Sequence, residues 1–168
     1  LPICYLFKGT VEENLKMAKP DATKEEMEAV LQKVNLLGFL QTQDGLQTQL
    51  LEKASNLSGG QCQRLVIARA LLRTDSAVYI FDEAASNIDV ESEELIMNVI
   101  HELAKTKTVL LISHRLANVV KSDKIYFLKD GEIKESGKHD ELMSQNGAYR
   151  HLYESQMALE NYGKGGMA

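Results

Sequence analysis

Apolar residues recur at helical spacing through the first half of the chain. Thr10 and Glu13 have the spacing of a capping box, in which a hydroxyl is followed three residues later by a carboxylate. Thr23 opens a second polar start, and an apolar stripe follows it at intervals of three and four residues. The members of that stripe are Met27, Val30, Leu31 and Val34. The pattern predicts two helices here, whereas residues 41–56 are polar, contain a glycine and predict a loop with short structure.

The second half alternates between helical patterns and short apolar runs. Residues 61–73 and 91–103 have helical periodicity. The runs at 77–81, 108–112 and 124–128 are nearly continuously apolar, which is typical of parallel strands that are buried on both faces. Strand, helix, strand, helix, strand is the order of an α/β fold with a parallel sheet.

The end of the chain predicts a hairpin and two helices. Asp130-Gly131 is a two-residue turn signal that leads into a strand at 132–136. Helices are predicted near 139–145 and 148–159. The domain organisation we expect is an α-helical subdomain at 1–75, an α/β core at 76–160 and a disordered tail at 161–168.

Length and charge exclude some classes of function. A chain of 168 residues predicts one domain, and its net charge of −5 argues against nucleic acid as the main partner. No run approaches the roughly 18 apolar residues of a membrane span. Cys4 and Cys62 have no metal-ligand spacing and indicate small packing residues with reduced thiols, although a disulfide is open in principle.

Candidate chemistry follows two of the predicted strands. Asp82 and Glu83 come directly after the run at 77–81, at the sheet edge where open α/β sheets bind ligands. An aspartate there can hold Mg²⁺ against nucleotide phosphates, and the glutamate can polarise a water for attack. His114 follows the run at 108–112 and can donate to a phosphate. Ordinary polar residues at strand ends are the alternative interpretation for all three.

The stretch Leu57-Ser58-Gly59-Gly60-Gln61 directly precedes a predicted helix. Backbone N–H groups at a helix start have no partner in the helix and lie at its positive end, and glycines let an anion approach them closely. Ser58 can cap the helix and also donate to a phosphate oxygen. A simple glycine turn is the alternative.

Taken together and in this order, these motifs resemble the nucleotide-binding domain of ATP-binding cassette (ABC) transporters. Leu57 to Gln61 match the family's signature motif, Asp82 its Walker B aspartate and Glu83 its catalytic glutamate. Residues 86–89, Ser-Asn-Ile-Asp, match the D-loop, and His114 matches the switch histidine. The resemblance covers about residues 5–156, and the end of the chain is similar to that of exporter-type cassettes.

The resemblance implies a P-loop NTPase-like fold and a set of cofactors and partners. ATP and Mg²⁺ would be bound, with Mg²⁺ at Asp82, and residues 57–61 with Asp89 would contact ATP held by a second nucleotide-binding domain, identical or not. A transmembrane domain would be the other partner, which places the chain at the cytoplasmic face of the membrane. The activity implied is ATP hydrolysis that powers transport.

The main departure from the family is the lack of a Walker A motif, G-x-x-x-x-G-K-[ST], in these 168 residues. We therefore expect a C-terminal fragment whose sheet is incomplete, because the N-terminal strands and the P-loop are missing, and which is inactive in isolation. Two alternatives stay open at this point. One is a truncated, non-catalytic cassette that acts as a binding or regulatory partner, and the other is a soluble cassette protein of DNA repair or translation.

Overall fold

The structure, a computed structural model, describes residues 5–86 and 88–165, with the side chains of 160–165 omitted. Cys4, Asn87 and residues 166–168 of the predicted tail lie outside the described residues. The chain forms two compact units, which divide after Ile112. Within the described ranges no helix has the length and apolar content needed to cross a bilayer.

The first unit is mostly helical. Its described helices are α1 (Val11–Lys16), α2 (Lys24–Lys33), α3 (Leu37–Gln41), α4 (Gly59–Leu71) and α5 (Val90–Ala104). The predicted capping box at Thr10 is present, and Thr23 forms a second one that was not predicted. Each threonine accepts from the backbone N–H three residues on, while the glutamate there accepts in return. The short strands β1 (Gly9–Thr10) and β2 (Gln49–Leu50) pair antiparallel.

Two parallel strands follow α4, as predicted. They are β3 (Val78–Asp82) and β4 (Thr108–Ile112), and they pair with Val78 opposite Thr108 and Asp82 opposite Ile112. The predicted burial on both faces is wrong. Tyr79 and Phe81 are buried, but Val78 and Ile80 are 54% and 66% exposed. Successive side chains of a strand point to opposite faces. The face of β3 with Tyr79 and Phe81 packs in the core, whereas the opposite face is also apolar but is left exposed by the described residues.

The core of this unit lies between the helices and the inner face of β3. The stacked rings of Tyr79 and Phe81 belong to it, and so do large aliphatic side chains from all five described helices. The fully buried aliphatic residues of those helices include Leu15, Leu31, Leu65, Ile96 and Ile100. This packing fixes α4 and α5 against each other, which matters for the site because both helices begin at candidate functional residues.

The second unit contains a hairpin and two helices. Strands β5 (Ile125–Lys129) and β6 (Glu132–Gly137) pair antiparallel around Asp130-Gly131, whose positive φ angles of 55° and 78° fit the predicted two-residue turn. The predicted strand and its hairpin with 132–136 are present, but the predicted burial of that strand is wrong, because Tyr126 and Leu128 are exposed. Its apolar residues resemble a buried run in the sequence because the exposed side of the hairpin is apolar too.

The last two helices are α6 (His139–Ser144) and α7 (Ala148–Gly165), and α7 is longer than predicted. Glu135 of β6 caps α7, since its carboxylate accepts from the backbone N–H of Ala148 at 2.6 Å. Tyr149 is fully buried, and its hydroxyl lies 2.8 Å from Nδ1 of His139. These contacts hold the start of α7 to the rest of the unit.

Candidate functional site

Asp82 and Glu83 lie at the carboxyl end of β3, and both are exposed. The backbone of Glu83 has a φ of +50°, a left-handed conformation that is uncommon outside glycine. Three hydrogen bonds hold it there. Its N–H donates to the carbonyl of Ile112 at 2.9 Å, and its carbonyl accepts from the N–H (3.0 Å) and hydroxyl (2.9 Å) of Ser86. The turn therefore presents two carboxylates at the edge of the parallel pair, with a strained backbone of the sort that clusters at functional sites.

The signature stretch forms the start of α4. Ser58 is the N-cap: its hydroxyl accepts from Gln61 N–H at 3.1 Å, and the Gln61 side chain accepts from Ser58 N–H at 2.8 Å. Ser58 and Gly59 are exposed, whereas Leu57 packs on the core. The cap uses a lone pair of the Ser58 oxygen, so the hydroxyl hydrogen can still be donated to an anion. The predicted cap is confirmed, and the helix start is open to a ligand.

Gly60 differs from Gly59 because it is buried against the start of α5. A Cβ added at Gly60 would lie 2.9 Å from Cβ of Ser92 and 3.1 Å from Oδ2 of Asp89, and still closer to the Ser92 hydroxyl. The glycine at this position is thus explained by close packing of two helix starts. A role of Gly60 in contacting a nucleotide stays a prediction.

Asp89 is the N-cap of α5. Its carboxylate accepts from Ser92 N–H at 2.8 Å, and this bond, reinforced by the charge of Arg64, holds the pKa of Asp89 below its usual value. Asp89 therefore carries a charge at neutral pH and lies beside Gly60. The structure therefore brings Asp89, predicted to belong to a D-loop, close to the start of α4 within the first unit.

Gln63, on the second turn of α4, is a residue that the sequence reasoning missed. Its side-chain amide donates to the carbonyl of Ala84 at 2.6 Å, directly after Glu83. Arg64 next to it donates to the carbonyls of Gly60 and Asn35. Contacts between a side chain and a distant backbone carbonyl leave no pattern in a sequence, so no signal pointed to Gln63.

His114 lies in the second unit, two residues after β4, and is exposed. Its backbone carbonyl accepts from the side-chain amide of Gln156 on α7 at 2.7 Å. Its expected place near Asp82 and Glu83 stays a prediction.

The carboxylates at the end of β3 are the candidate metal ligands. In the residues that the structure describes, no group of three or more His, Cys, Asp or Glu converges as a metal site. Mg²⁺ commonly takes one or two carboxylates and completes its shell with water and phosphate, which suits the exposed Asp82.

Cys62 is a half-buried free thiol whose pKa is raised by burial, so it is a poor nucleophile.

Comparison with known proteins gives a consistent result. A family profile described as "ABC transporter" matches residues 4–86. An uncharacterized ABC transporter ATP-binding protein of Haemophilus influenzae is 53% identical over 156 residues, which is 93% of this chain and 28% of that protein. An ATP-dependent lipid A-core flippase of Mannheimia succiniciproducens is 44% identical, over 90% of this chain and 26% of its own length. A solved structure of a bacterial Atm1-family ABC exporter with ATP bound matches with a TM-score of 0.83 at 30% identity, over 90% of this chain and 27% of that one.

The chain belongs to the ABC transporter family, and it forms part of an ATP-binding domain. The predicted fold class is confirmed, since the exporter structure covers most of the chain at high similarity. The chain spans about a quarter of the length of the curated relatives it matches. The comparisons do not favour the regulatory alternative, because the relatives with informative names are named as a flippase and as multidrug export proteins.

Proposed function

We propose that this chain is part of the ATP-hydrolysing unit of an ABC exporter, acting at the cytoplasmic face of a membrane. The observation that carries the proposal is the pair of exposed carboxylates, Asp82 and Glu83, held at the end of a parallel strand by the left-handed turn at Glu83. Family membership supports ATP as the ligand.

Each carboxylate has a separate role in this proposal. Asp82 holds Mg²⁺, directly or through water, and the ion neutralises phosphate charge when it is bound. Glu83 accepts the proton of the attacking water as general base, and its fixed backbone limits where the carboxylate can reach. His114 donates a hydrogen bond to the γ-phosphate and so senses whether it is present.

The start of α4 acts on a different ATP molecule. The open N–H group at Gly59, with the Ser58 hydroxyl, contacts the γ-phosphate of ATP that a second cassette holds. Leu57 anchors this stretch on the core, and Gln61 keeps Ser58 in place through the capping box. Asp89, beside Gly60, links this contact to the second site. The partners are thus another nucleotide-binding domain and a transmembrane domain.

The 168-residue polypeptide alone should hydrolyse ATP negligibly. Its sequence has no P-loop to position the phosphates, and positioning and charge stabilisation dominate phosphoryl transfer. Mixing it with a cassette that has a P-loop should restore measurable nucleotide binding at the shared site. Robust Mg²⁺-dependent hydrolysis by the purified polypeptide alone would contradict this expectation.

The test of the assigned roles is Glu83→Gln in the full-length gene product, with Glu94→Gln as the matched control. Glu94 is exposed on α5 and has no role in the proposed site. Loss of a general base should lower kcat for ATP by about 100-fold or more while ATP binding is retained, since general bases contribute roughly 10²–10⁴-fold. Activity above a tenth of wild type in Glu83→Gln would refute the role of Glu83.

A further inference from the structure

We propose that Gln63 is a positioning residue, which holds the backbone turn that presents Glu83 by donating a hydrogen bond from α4 to the carbonyl of Ala84. This inference rests on the proposed function of Glu83. It assigns to Gln63 no contact with ATP at either site.

The turn after β3 is stabilised from both sides of Glu83. On its N-terminal side, the Glu83 N–H donates to the Ile112 carbonyl of β4. On its C-terminal side, the N–H and hydroxyl of Ser86 donate to the Glu83 carbonyl. The next carbonyl, that of Ala84, belongs to a residue that is only 7% exposed, and it accepts from Gln63 at 2.6 Å. A buried carbonyl needs a partner, so this bond ties the turn to α4, as the bond to Ile112 ties it to β4.

A left-handed backbone at a non-glycine residue persists only when its surroundings hold it. Without the Gln63 amide, the Ala84 carbonyl would have to rotate toward another donor. That carbonyl lies in the peptide between Ala84 and Ala85, so its rotation changes the backbone of Ala84, and the change reaches Glu83 through the peptide that joins the two residues. Gln63 therefore acts on the carboxylate through one peptide bond.

Gln63 also lies on the helix whose first turn is proposed to contact ATP of the partner cassette. It is four residues after Gly59, on the next turn of α4. A displacement of α4 that accompanies ATP contact at Ser58 would carry Gln63 with it. The same side chain thus connects contact with one nucleotide to the geometry of the base at the other.

The experiment compares Gln63→Glu and Gln63→Met with the control Gln32→Glu, all in the full-length gene product. Glutamate has the shape of glutamine but places acceptors opposite a carbonyl, and methionine removes the donor. Gln32 is an exposed helical glutamine on α2. We expect kcat for ATP to fall about tenfold in both Gln63 variants, with KM changed by less than twofold, and no effect in the control.

A second measurement needs no nucleotide. Hydrogen exchange of the Ser86 amide should be at least about tenfold faster in both Gln63 variants, because its acceptor is the Glu83 carbonyl. Amides of residues 64–71 in α4 should change by less than twofold. General loosening of α4, with faster exchange along the whole helix, would overturn the proposal, as would unchanged exchange at Ser86 or unchanged kcat.

Failure of this proposal can be distinguished from failure of the proposed function. If Glu83→Gln remains active, the role of Glu83 is wrong whatever Gln63 does. If Glu83→Gln is inactive but the Gln63 variants hydrolyse ATP normally, Glu83 is the base and Gln63 does not position it.

Discussion

Gly60→Ala tests whether this glycine is required by packing within the chain. The new Cβ would lie 2.9 Å from Cβ of Ser92, and carbon atoms in contact prefer about 3.5–4.0 Å. Ser92 is 5% exposed and its Cβ is fixed by the backbone, so a side-chain rotation cannot relieve the contact. The starts of α4 and α5 have to move apart.

The expected cost follows from two opposing effects. Overpacking a close contact costs about 1–3 kcal/mol. Replacing a helical glycine by alanine gains roughly 0.5–1 kcal/mol. The midpoints of these two ranges predict that the free energy of unfolding falls by about 1 kcal/mol, which for a chain of this size lowers Tm by roughly 2–4 °C.

The matched control is Gly38→Ala, since Gly38 is also helical but a Cβ there would meet nothing within 4 Å. It should be neutral or stabilising by about 0.5–1 kcal/mol. Thermal and urea unfolding of the 168-residue chain measure both variants. The clash with Ser92 predicts that Gly60→Ala costs almost nothing further in a Ser92→Gly background. If Gly60→Ala were as stable as Gly38→Ala, the packing argument would be wrong.

Two further predictions concern helix starts. Gly147→Ala would place a Cβ 2.7 Å from Cδ of Glu135, so the carboxylate should swing away from the start of α7. Loss of this cap should lower the free energy of unfolding, measured by urea titration, by about 1–2 kcal/mol. In a Glu135→Ala background the same substitution should have no further effect. The pKa of Asp89 is lowered by its cap bond, so the cap stabilises fully above the ordinary value of 3.8. The stability difference between wild type and Asp89→Ala should therefore shrink as the pH falls below 3.8. A difference that grew on acidification would contradict the second prediction.

The sequence predicted the local features well because they depend on neighbouring residues. The cap at Ser58 and the turn at Asp130-Gly131 follow from short-range rules, and the parallel pair follows from its apolar runs. The sequence did not predict the close packing of Gly60 on Ser92, nor the hydrogen bond from Gln63 to Ala84, 21 residues further along the chain. Both are tertiary contacts, and they depend on how α4 packs against other parts of the unit.

The strand errors have a related physical reason. An apolar run shows that a segment has two apolar faces, but it does not show what covers either of them. Ile80 and Leu128 are exposed, although the runs that contain them are typical of strands buried on both faces. Pairing partners and cover are properties of the whole domain.

The alternation along β3 has a consequence for assembly of the domain. Asp82 points to the same side of the strand as Val78 and Ile80, and its β4 neighbour in the register is Ile112, whose side chain is also exposed. Any polypeptide that covers the apolar face formed by Val78 and Ile80 must lie next to Asp82. Under the proposed function, covering this surface and completing the Mg²⁺ site would be a single event, and a molecule without that cover would not hydrolyse ATP.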